Sequence, residues 1–491
     1  MELAQEKKKT PSLKVNIIFN TLYQILIIIT PLITTPYISR VIGPEGYGDF
    51  AFTQSIANYF FLFAMLGVNN YGNRVISQSR DDKELLSKNF WNIYSIQFFL
   101  SIIIIPGYLL YTFLFSNQQM LTLTLIQGLQ IASVLIDVNW LLFGLEKFKI
   151  STIRNIIVKL LSIAAIFLFV RTSDDLNLYA LIVGLGTVIG LVVILPSVFK
   201  EIKFVKPSFQ EIKKHILGDL VLFLPLLATG IYHFTDKIML GLLKTSEDVG
   251  YYSYANNIVS LPIALIVGVC TVVMPRVSNL AKTDPENSQK IINAGVFYIL
   301  ILSFAMAAGL FSVADVFVPI FLGDQYDATI GILKLLAFLL PIQSITLAIR
   351  MMYLIPYEKD NIYIISIFSG AIANVILNFI MISLFGTLGA CYATIIANSV
   401  ALVIQIILTW KHLPYFQWVK KSFPYLLISV LMSVGLFFFA KIFENMYSSL
   451  ALQVVVGVVF FLASSFAMLL VQKEQYFMNG LCSLRAKLRR Q

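Results

Sequence analysis

Charge is scarce in this sequence: Asp, Glu, Lys and Arg make up 13% of its 491 residues, against about a quarter in an ordinary soluble protein. Together with 58% hydrophobic residues and a mean hydropathy of +0.82, that shortage excludes a disordered chain and a string of soluble domains. Cysteine is scarce as well. Cys270, Cys391 and Cys482 are odd in number, widely spaced and without metal-ligand company, which excludes a disulfide scaffold. His215, His233 and His412 are scattered, with no metal spacing, no paired acids and no nucleophile motif beside them. No cofactor, no metal and no catalytic residue is therefore expected. The outward loops are only a few residues long, whereas catalysis at a membrane calls for a large aqueous loop bearing carboxylates or histidines.

What the sequence has is apolar length. A bilayer core of about 30 Å needs about 20 apolar residues per helix, and about fourteen such runs can be marked, from Leu13–Ser39 and Gly46–Val68 to Leu450–Val471. The first run follows Lys7, Lys8, Lys9 and Lys14, is too long for a signal-peptide core and lacks a small-x-small cleavage site, so it is expected to remain as a helix. The spacing predicts one continuous fourth helix over Gln119–Phe143 and one continuous tenth helix over Ala328–Ile355. An all-α polytopic membrane protein follows.

The basic residues test that count, because cytoplasmic loops carry the surplus of Lys and Arg. The amino terminus, every second loop and the tail hold 28 of the 36, among them Arg74, Arg154, Arg276 and the run Lys200 to Lys214. The opposite loops hold Arg40, Arg171, Lys244 and Lys441, and Lys159, Lys237, Lys334 and Arg350 fall inside helices. Both termini are expected in the cytoplasm. Orientation and anionic lipid headgroups account for the net charge of +10, so no nucleic-acid partner is implied.

The chain also echoes itself. At an offset of 202 residues, Glu45, Gly48, Ile56, Arg74, Val75, Asp82, Glu84 and Lys88 fall on Glu247, Gly250, Ile258, Arg276, Val277, Asp284, Glu286 and Lys290. The offset maps helix 1 to helix 7, so the repeat is parallel and its axis runs along the membrane normal. The expected plan is two pseudo-symmetric six-helix lobes, residues 1–199 and 216–411. A basic cytoplasmic linker at 200–215 joins them, and 412–491 adds helices 13 and 14 and a basic tail.

Two related bundles leave a seam, and such seams bind cargo in secondary transporters. Ionisable groups inside apolar helices are candidates for that site, each with a structural alternative. Asp137 and Lys159 lie at similar depth and either pair with each other, with Arg154 as a competing partner, or line a cavity. Asp236 and Lys237, as neighbours, point to different faces, and Arg350 either faces the seam or snorkels. Helices 1, 2, 7 and 8 carry Asn16, Asn20, Tyr23, Gln24, Thr30, Thr34, Gln54, Asn58, Tyr254, Asn256 and Asn257, suited to a hydroxyl-rich ligand or to interhelical bonds. Pro31, Pro36, Pro225 and Pro262 kink helices that a rocking gate would bend. Arg74 and Arg276 either gate the cytoplasmic mouth or only follow the orientation rule.

The stretches PLITTPYISRVIGPEGYGDFAFTQSIANYF (Pro31 to Phe60), LGVNNYGNRVISQSRDD (Leu66 to Asp82), TDKIMLG (Thr235 to Gly241) and DVGYYSYANNI (Asp248 to Ile258) resemble the Wzx-type oligosaccharide flippases. These are a branch of the multidrug/oligosaccharidyl-lipid/polysaccharide exporter superfamily. The resemblance covers essentially the whole chain and implies a flippase of the bacterial cytoplasmic membrane, working by alternating access. It would move undecaprenyl-diphosphate-linked oligosaccharide repeat units of capsule, O-antigen or a related glycan to the outer leaflet. Membrane lipids, a polysaccharide polymerase and other assembly proteins are the implied partners. By the same resemblance Arg40, Asp236 and Arg350, with the Asn and Gln residues of helices 1, 2 and 8, are the substrate or gating residues. Asp137 and Asp236 are candidates for coupling a sodium ion or proton, with a structural salt bridge as the alternative. The competing readings are a peptidoglycan lipid precursor flippase, a multidrug exporter of the same superfamily and a membrane polysaccharide polymerase.

Overall fold

The computed structural model describes residues 13–440, 445–474, 476–479 and 482; side chains are described at 26 and from 29 on, except 148, 150 and 440. Lys7, Lys8, Lys9, Lys441 and the tail cations Arg485, Lys487, Arg489 and Arg490 lie outside the described residues. Among the described residues the chain is all helix and turn, with no strand. Hydrocarbon dictates that outcome, because it offers no water to satisfy peptide groups, and a helix satisfies its own. The chain forms two compact units, Met1–Gly241 and Leu242–Gln491.

The first unit contains α1 (Leu13–Met65), α2 (Val68–Ser79), α3 (Lys83–Phe115), α4 (Gln118–Ala132), α5 (Asn139–Gly144), α6 (Phe148–Phe169), α7 (Leu176–Phe199) and nearly all of α8 (Phe209–Leu243). Within it α1 packs against α3, α4 and α6, α7 against α4 and α6, and the short α2 lies across α3 and α5. Phe90 and Ile93 of α3, Trp140 and Leu141 of α5 and Val68 and Ile76 of α2 form its largest buried cluster. The second unit contains α9 (Ser246–Thr283), α10 (Pro285–Leu322), α11 (Asp327–Ala337), α12 (Leu339–Ile349), α13 (Asp360–Phe385), α14 (Thr387–Thr409), α15 (Tyr415–Ala440) and α16 (Met446–Val471). There α13 pairs with α14, and α10 is central, touching α9, α11, α12, α15 and α16. Met352, Tyr353 and Trp418 anchor its main cluster, and Tyr425, Met432 and Phe461 join α15 and α16 to α10.

Among the described residues twelve helices are long and apolar enough to cross a bilayer, and a pair bent by 41°, Asp324–Ala337 with Leu339–Leu354, makes up to a thirteenth. One of the twelve, Ile29–Ser79, is 51 residues long, about 76 Å at 1.5 Å per residue and far more than one bilayer core. It takes in both α1, from Ile29 on, and α2 and is divided at Gly43, whose φ of 76° and ψ of 175° are not helical. The outward faces suit lipid: Phe113, Leu114 and Phe115 are 65%, 65% and 71% exposed, an apolar surface that water would not tolerate.

The repeat register reappears in the turns. Asp82 caps α3 by accepting from the Glu84 and Leu85 N–H groups at 2.9 and 3.1 Å. Asp284, 202 residues on, caps α10 by accepting from Asn287 N–H at 3.1 Å. The Gly43 break falls on Thr245, whose capping box with Asp248 starts α9. The two halves thus turn at the same register, one by a glycine and one by a hydroxyl cap.

Two predicted helices are not continuous. The fourth is interrupted by a 3₁₀ turn at Ser133–Ile136 and extended backbone at Asp137. The tenth bends at Phe338 and ends in a π-turn over Arg350–Leu354. The predicted second helix also stops early, at Met65, and Arg74 belongs to the separate α2. At Gly43 the backbone occupies a region open essentially to glycine alone. Gly43→Ala is expected to destabilise the purified protein by about 1–3 kcal/mol, read as a lower melting temperature in detergent. Gly107→Ala, where a Cβ would meet nothing within 4 Å, is expected to leave it unchanged or raise it.

Candidate functional site

The break in the fourth span is the starting point, because unpaired peptide groups at membrane depth must find partners within the protein. α3 provides them. The fully buried Gln97 donates from Nε2 to the Val134 carbonyl and, at 2.9 Å, to the Asp137 carbonyl. Tyr94 donates its hydroxyl to the Leu135 carbonyl at 2.8 Å. Gln97 Oε1 in turn accepts from Trp140 Nε1 at 3.2 Å, so the glutamine locks both sides of the break.

With its backbone held, Asp137 turns its carboxylate onto the next helix. Oδ1 accepts from Asn139 N–H at 3.2 Å and from Asn139 Nδ2 at 2.7 Å. Asn139 Oδ1 accepts from Arg154 Nη2 at 2.9 Å. Arg154, counted above among the loop cations, is thus a buried residue of α6. It has room because α7 presents Gly190, where an added Cβ would lie 3.3 Å from Arg154 Cδ and 3.4 Å from Nη1.

These residues wall a cavity of about 890 Å³ that lies wholly inside the first unit. Its polar lining is mostly amide and hydroxyl: Gln54, Asn69, Asn70, Asn73, Gln127, Gln130, Asn139 and Asn155, with Thr30, Thr34, Ser133, Ser162 and Thr187. Arg154 and Lys159 supply two positive charges and Asp137 one negative. The hydroxyls of Thr30 and Thr34 donate to carbonyls four residues back, which leaves their lone pairs to accept from a ligand.

Of the predicted site residues, the cavity gathers Gln54, Asp137 and Lys159, and Asn58 stands behind it, accepting from Gln130 Nε2 at 2.7 Å. The salt bridge from Asp137 to Lys159 does not form; Asn139 takes the carboxylate instead. Asn20 and Gln24 lie outside the residues whose side chains are described. Arg40 is exposed and donates to the Pro36 carbonyl at 2.6 Å. Arg74 is exposed on α2, away from the cavity lining. Asp236 is buried in α8 beside Thr235, whose hydroxyl bonds Tyr59 at 2.6 Å. In the second unit, Arg350 opens the π-turn with its guanidinium 4.2 Å from the Tyr363 ring centroid, and Asn256 and Asn257 are half-buried on α9. Arg276 lines a separate groove. The amides of α2, α4 and α5 were not anticipated as a set. The available signal was their density, Asn69, Asn70 and Asn73 within one helical turn or so.

Three comparisons bear on this site. The family model described as Polysaccharide biosynthesis protein matches residues 13–281, and one described as MatE matches residues 222–380. An Escherichia coli K12 protein named as an O-antigen transporter is 24% identical over 387 residues, 77% of this chain and 92% of its own length. A low-salt glycan biosynthesis flippase of Haloferax volcanii, Agl15, is 24% identical over 48% of this chain and 50% of its own. Among solved structures, the lipid II flippase MurJ in an inward closed conformation has a TM-score of 0.72 at 17% identity, covering 94% of this chain and 100% of its own. An inward-facing multidrug resistance MATE transporter has a TM-score of 0.60 at 16% identity, covering 83% of this chain and 99% of its own. At those identities the two structures establish a common fold.

Gln97→Leu keeps the shape of the side chain while removing two donors and an acceptor at the break. It is expected to cost about 1–3 kcal/mol for each buried group left unpaired, seen as a marked fall in melting temperature in detergent. Tyr94→Phe, which frees one carbonyl, is expected to lower it less.

Proposed function

Because the chain belongs to the polysaccharide biosynthesis protein family and is a multi-pass membrane transporter rather than an enzyme, we propose that it flips undecaprenyl-diphosphate-linked oligosaccharide repeat units. The direction is from the inner to the outer leaflet of a bacterial cytoplasmic membrane, and the glycan is a capsule, an O-antigen or a related polysaccharide. The observation that carries this reading is the amide- and hydroxyl-lined cavity with Arg154 and Lys159 in its wall.

Sugar hydroxyls and a diphosphate each resist entry into hydrocarbon, at several kcal/mol for every group left without a partner. A volume of about 890 Å³ is at the upper end of ligand pockets, about 300–1,000 Å³. Paired amides and hydroxyls exchange bonds with a sugar at small net cost, because each can both donate and accept. Arg154 offers a planar fork of donors to a phosphate or carboxylate, and Asn139 fixes its direction. Lys159 offers a point charge. Alternating access would open this chamber to each leaflet in turn, with the polyprenyl chain left in lipid. Of the two carboxylates considered for coupling a sodium ion or proton, Asp137 is the one in the cavity wall and is the proposed site.

Deleting the gene in its host and locating the lipid-linked glycan tests the reading. Single repeat units on undecaprenyl diphosphate are expected to accumulate facing the cytoplasm. Units displayed outside but left unpolymerised would instead identify a polymerase. In the complemented deletion, Arg154→Ala and Lys159→Ala are each expected to lower surface glycan about tenfold or more at unchanged protein level, the scale of a lost charged hydrogen bond.

A further inference from the structure

The offset invites comparison of two corners of the fold, one in each unit. At an offset of 202 residues, the corner where α2 meets α3 corresponds to the corner where α9 meets α10. The first corner is covered by the chain's own linker. Lys203 N–H donates to Ser87 Oγ at 3.1 Å, Ser208 N–H donates to Asn92 Oδ1 at 2.9 Å, and Trp91 Nε1 donates to the Lys203 carbonyl at 3.0 Å. Phe204 meets the Trp91 ring at 5.0 Å between centroids. Asn92 and Ile93 are buried there, 1% and 0% exposed.

In the second unit the equivalent positions are Ala294 and Gly295. Where the first half has side-chain volume and a covering segment, the second has a groove of about 600 Å³, walled by Val273, Leu280, Ile291, Tyr298 and Tyr476 and entered by Arg276. Among the described residues no carboxylate or other acceptor engages the exposed Arg276 guanidinium. Its basic neighbours are engaged: Lys282 pairs with Glu358 at 3.3 Å and Lys290 with Glu286 at 2.7 Å. Glu474, beside the groove, accepts from the Tyr298 hydroxyl at 2.6 Å and from Phe477 N–H at 2.7 Å. The groove therefore offers the Arg276 guanidinium and the apolar side chains of Val273, Leu280 and Ile291, with Asn279 and Asn287 also in its lining and the Glu474 carboxylate held on the Tyr298 hydroxyl.

We propose that this groove holds an anionic glycerophospholipid, its phosphate on Arg276 and its acyl chains against Val273, Leu280 and Ile291. Sign selects this occupant. The chain's own sequence beyond Gly480 carries Arg485, Lys487, Arg489 and Arg490 and no acidic side chain, charges of the same sign as Arg276. A lipid phosphate carries the complementary charge in a form that an arginine fork binds in two places. The corner also lies on the side where the charge count puts the basic loops and the anionic leaflet. The site is separate from the cavity of the first unit and does not depend on what that cavity carries.

Native mass spectrometry of the purified full-length protein, exchanged into phosphatidylglycerol or phosphatidylethanolamine, tests the proposal without a transport assay. The protein is expected to retain phosphatidylglycerol in preference to phosphatidylethanolamine. Arg276→Ala is expected to lower that retention about fivefold, the scale of one basic contact to an anionic surface. Ala294→Phe, which fills the groove and leaves charge alone, is expected to lower it as well. Lys282→Ala, a surface cation outside the groove, is expected to leave it unchanged. Equal retention of both lipids, or equal loss from Lys282→Ala and Arg276→Ala, would overturn the site in favour of diffuse surface charge. Displacement of phosphatidylglycerol by undecaprenyl diphosphate at equimolar concentration would overturn it in favour of the cargo.

Discussion

Peptide groups cannot be left unpaired in hydrocarbon, and this structure depends on how that demand is met where its helices break. The fourth span is the clearest case. Its helix is interrupted over Ser133–Asp137, where Tyr94 takes the Leu135 carbonyl and Gln97 takes that of Asp137 and adds a second donor to that of Val134, which also accepts Asp137 N–H. Without those two side chains the break would cost more than the local sequence could return. With them, the chain can change direction at membrane depth, and Asp137 and Asn139 leave the helical ladder to act as side chains.

That freedom gives the cavity its chemistry. Asp137 bonds Asn139, and Asn139 bonds Arg154, so the amide links the acid to the buried guanidinium in the cavity wall. An amide interposed between acid and base keeps both charges solvated by protein and still able to meet a ligand. The surrounding asparagines, glutamines and threonines each present groups that can both give and take a hydrogen bond.

The spans were legible in the sequence because their determinant is length, and about 20 apolar residues can be counted. Asp82 and Asp284, which share the 202-residue offset, both prove to be helix caps, whereas the contacts divide the chain at Gly241 and not at the expected linker 200–215. The break in the fourth span was not legible. SVLIDV contains neither proline nor glycine, and the residues that hold it open lie some forty positions earlier, on another helix. Arg154 was read as a loop cation because the orientation rule counts charges near helix ends and cannot see which way a side chain turns. Asp137 and Lys159 both line the cavity, but the Asn139 that stands between Asp137 and Arg154 shows only in three dimensions. The tenth span was read as one helix although its breakers stand in the sequence: the bend at Phe338 lies three residues before Pro341, and the π-turn over Arg350–Leu354 is followed by Pro356.

The anchoring of Lys203 and Ser208 to Ser87, Trp91 and Asn92 bears on how such proteins can be recombined. A stretch rich in lysine, expected from the sequence to be a linker, invites use as the crossover point for chimeras among relatives. Here it is stitched to α3 along its length, and α8 begins one residue after the last stitch. A junction placed at Lys200 would pair one parent's α3 with another's linker and strand three hydrogen bonds at the joint. A junction near Gly241, where the contacts themselves divide, would keep every one of those bonds within a single parent.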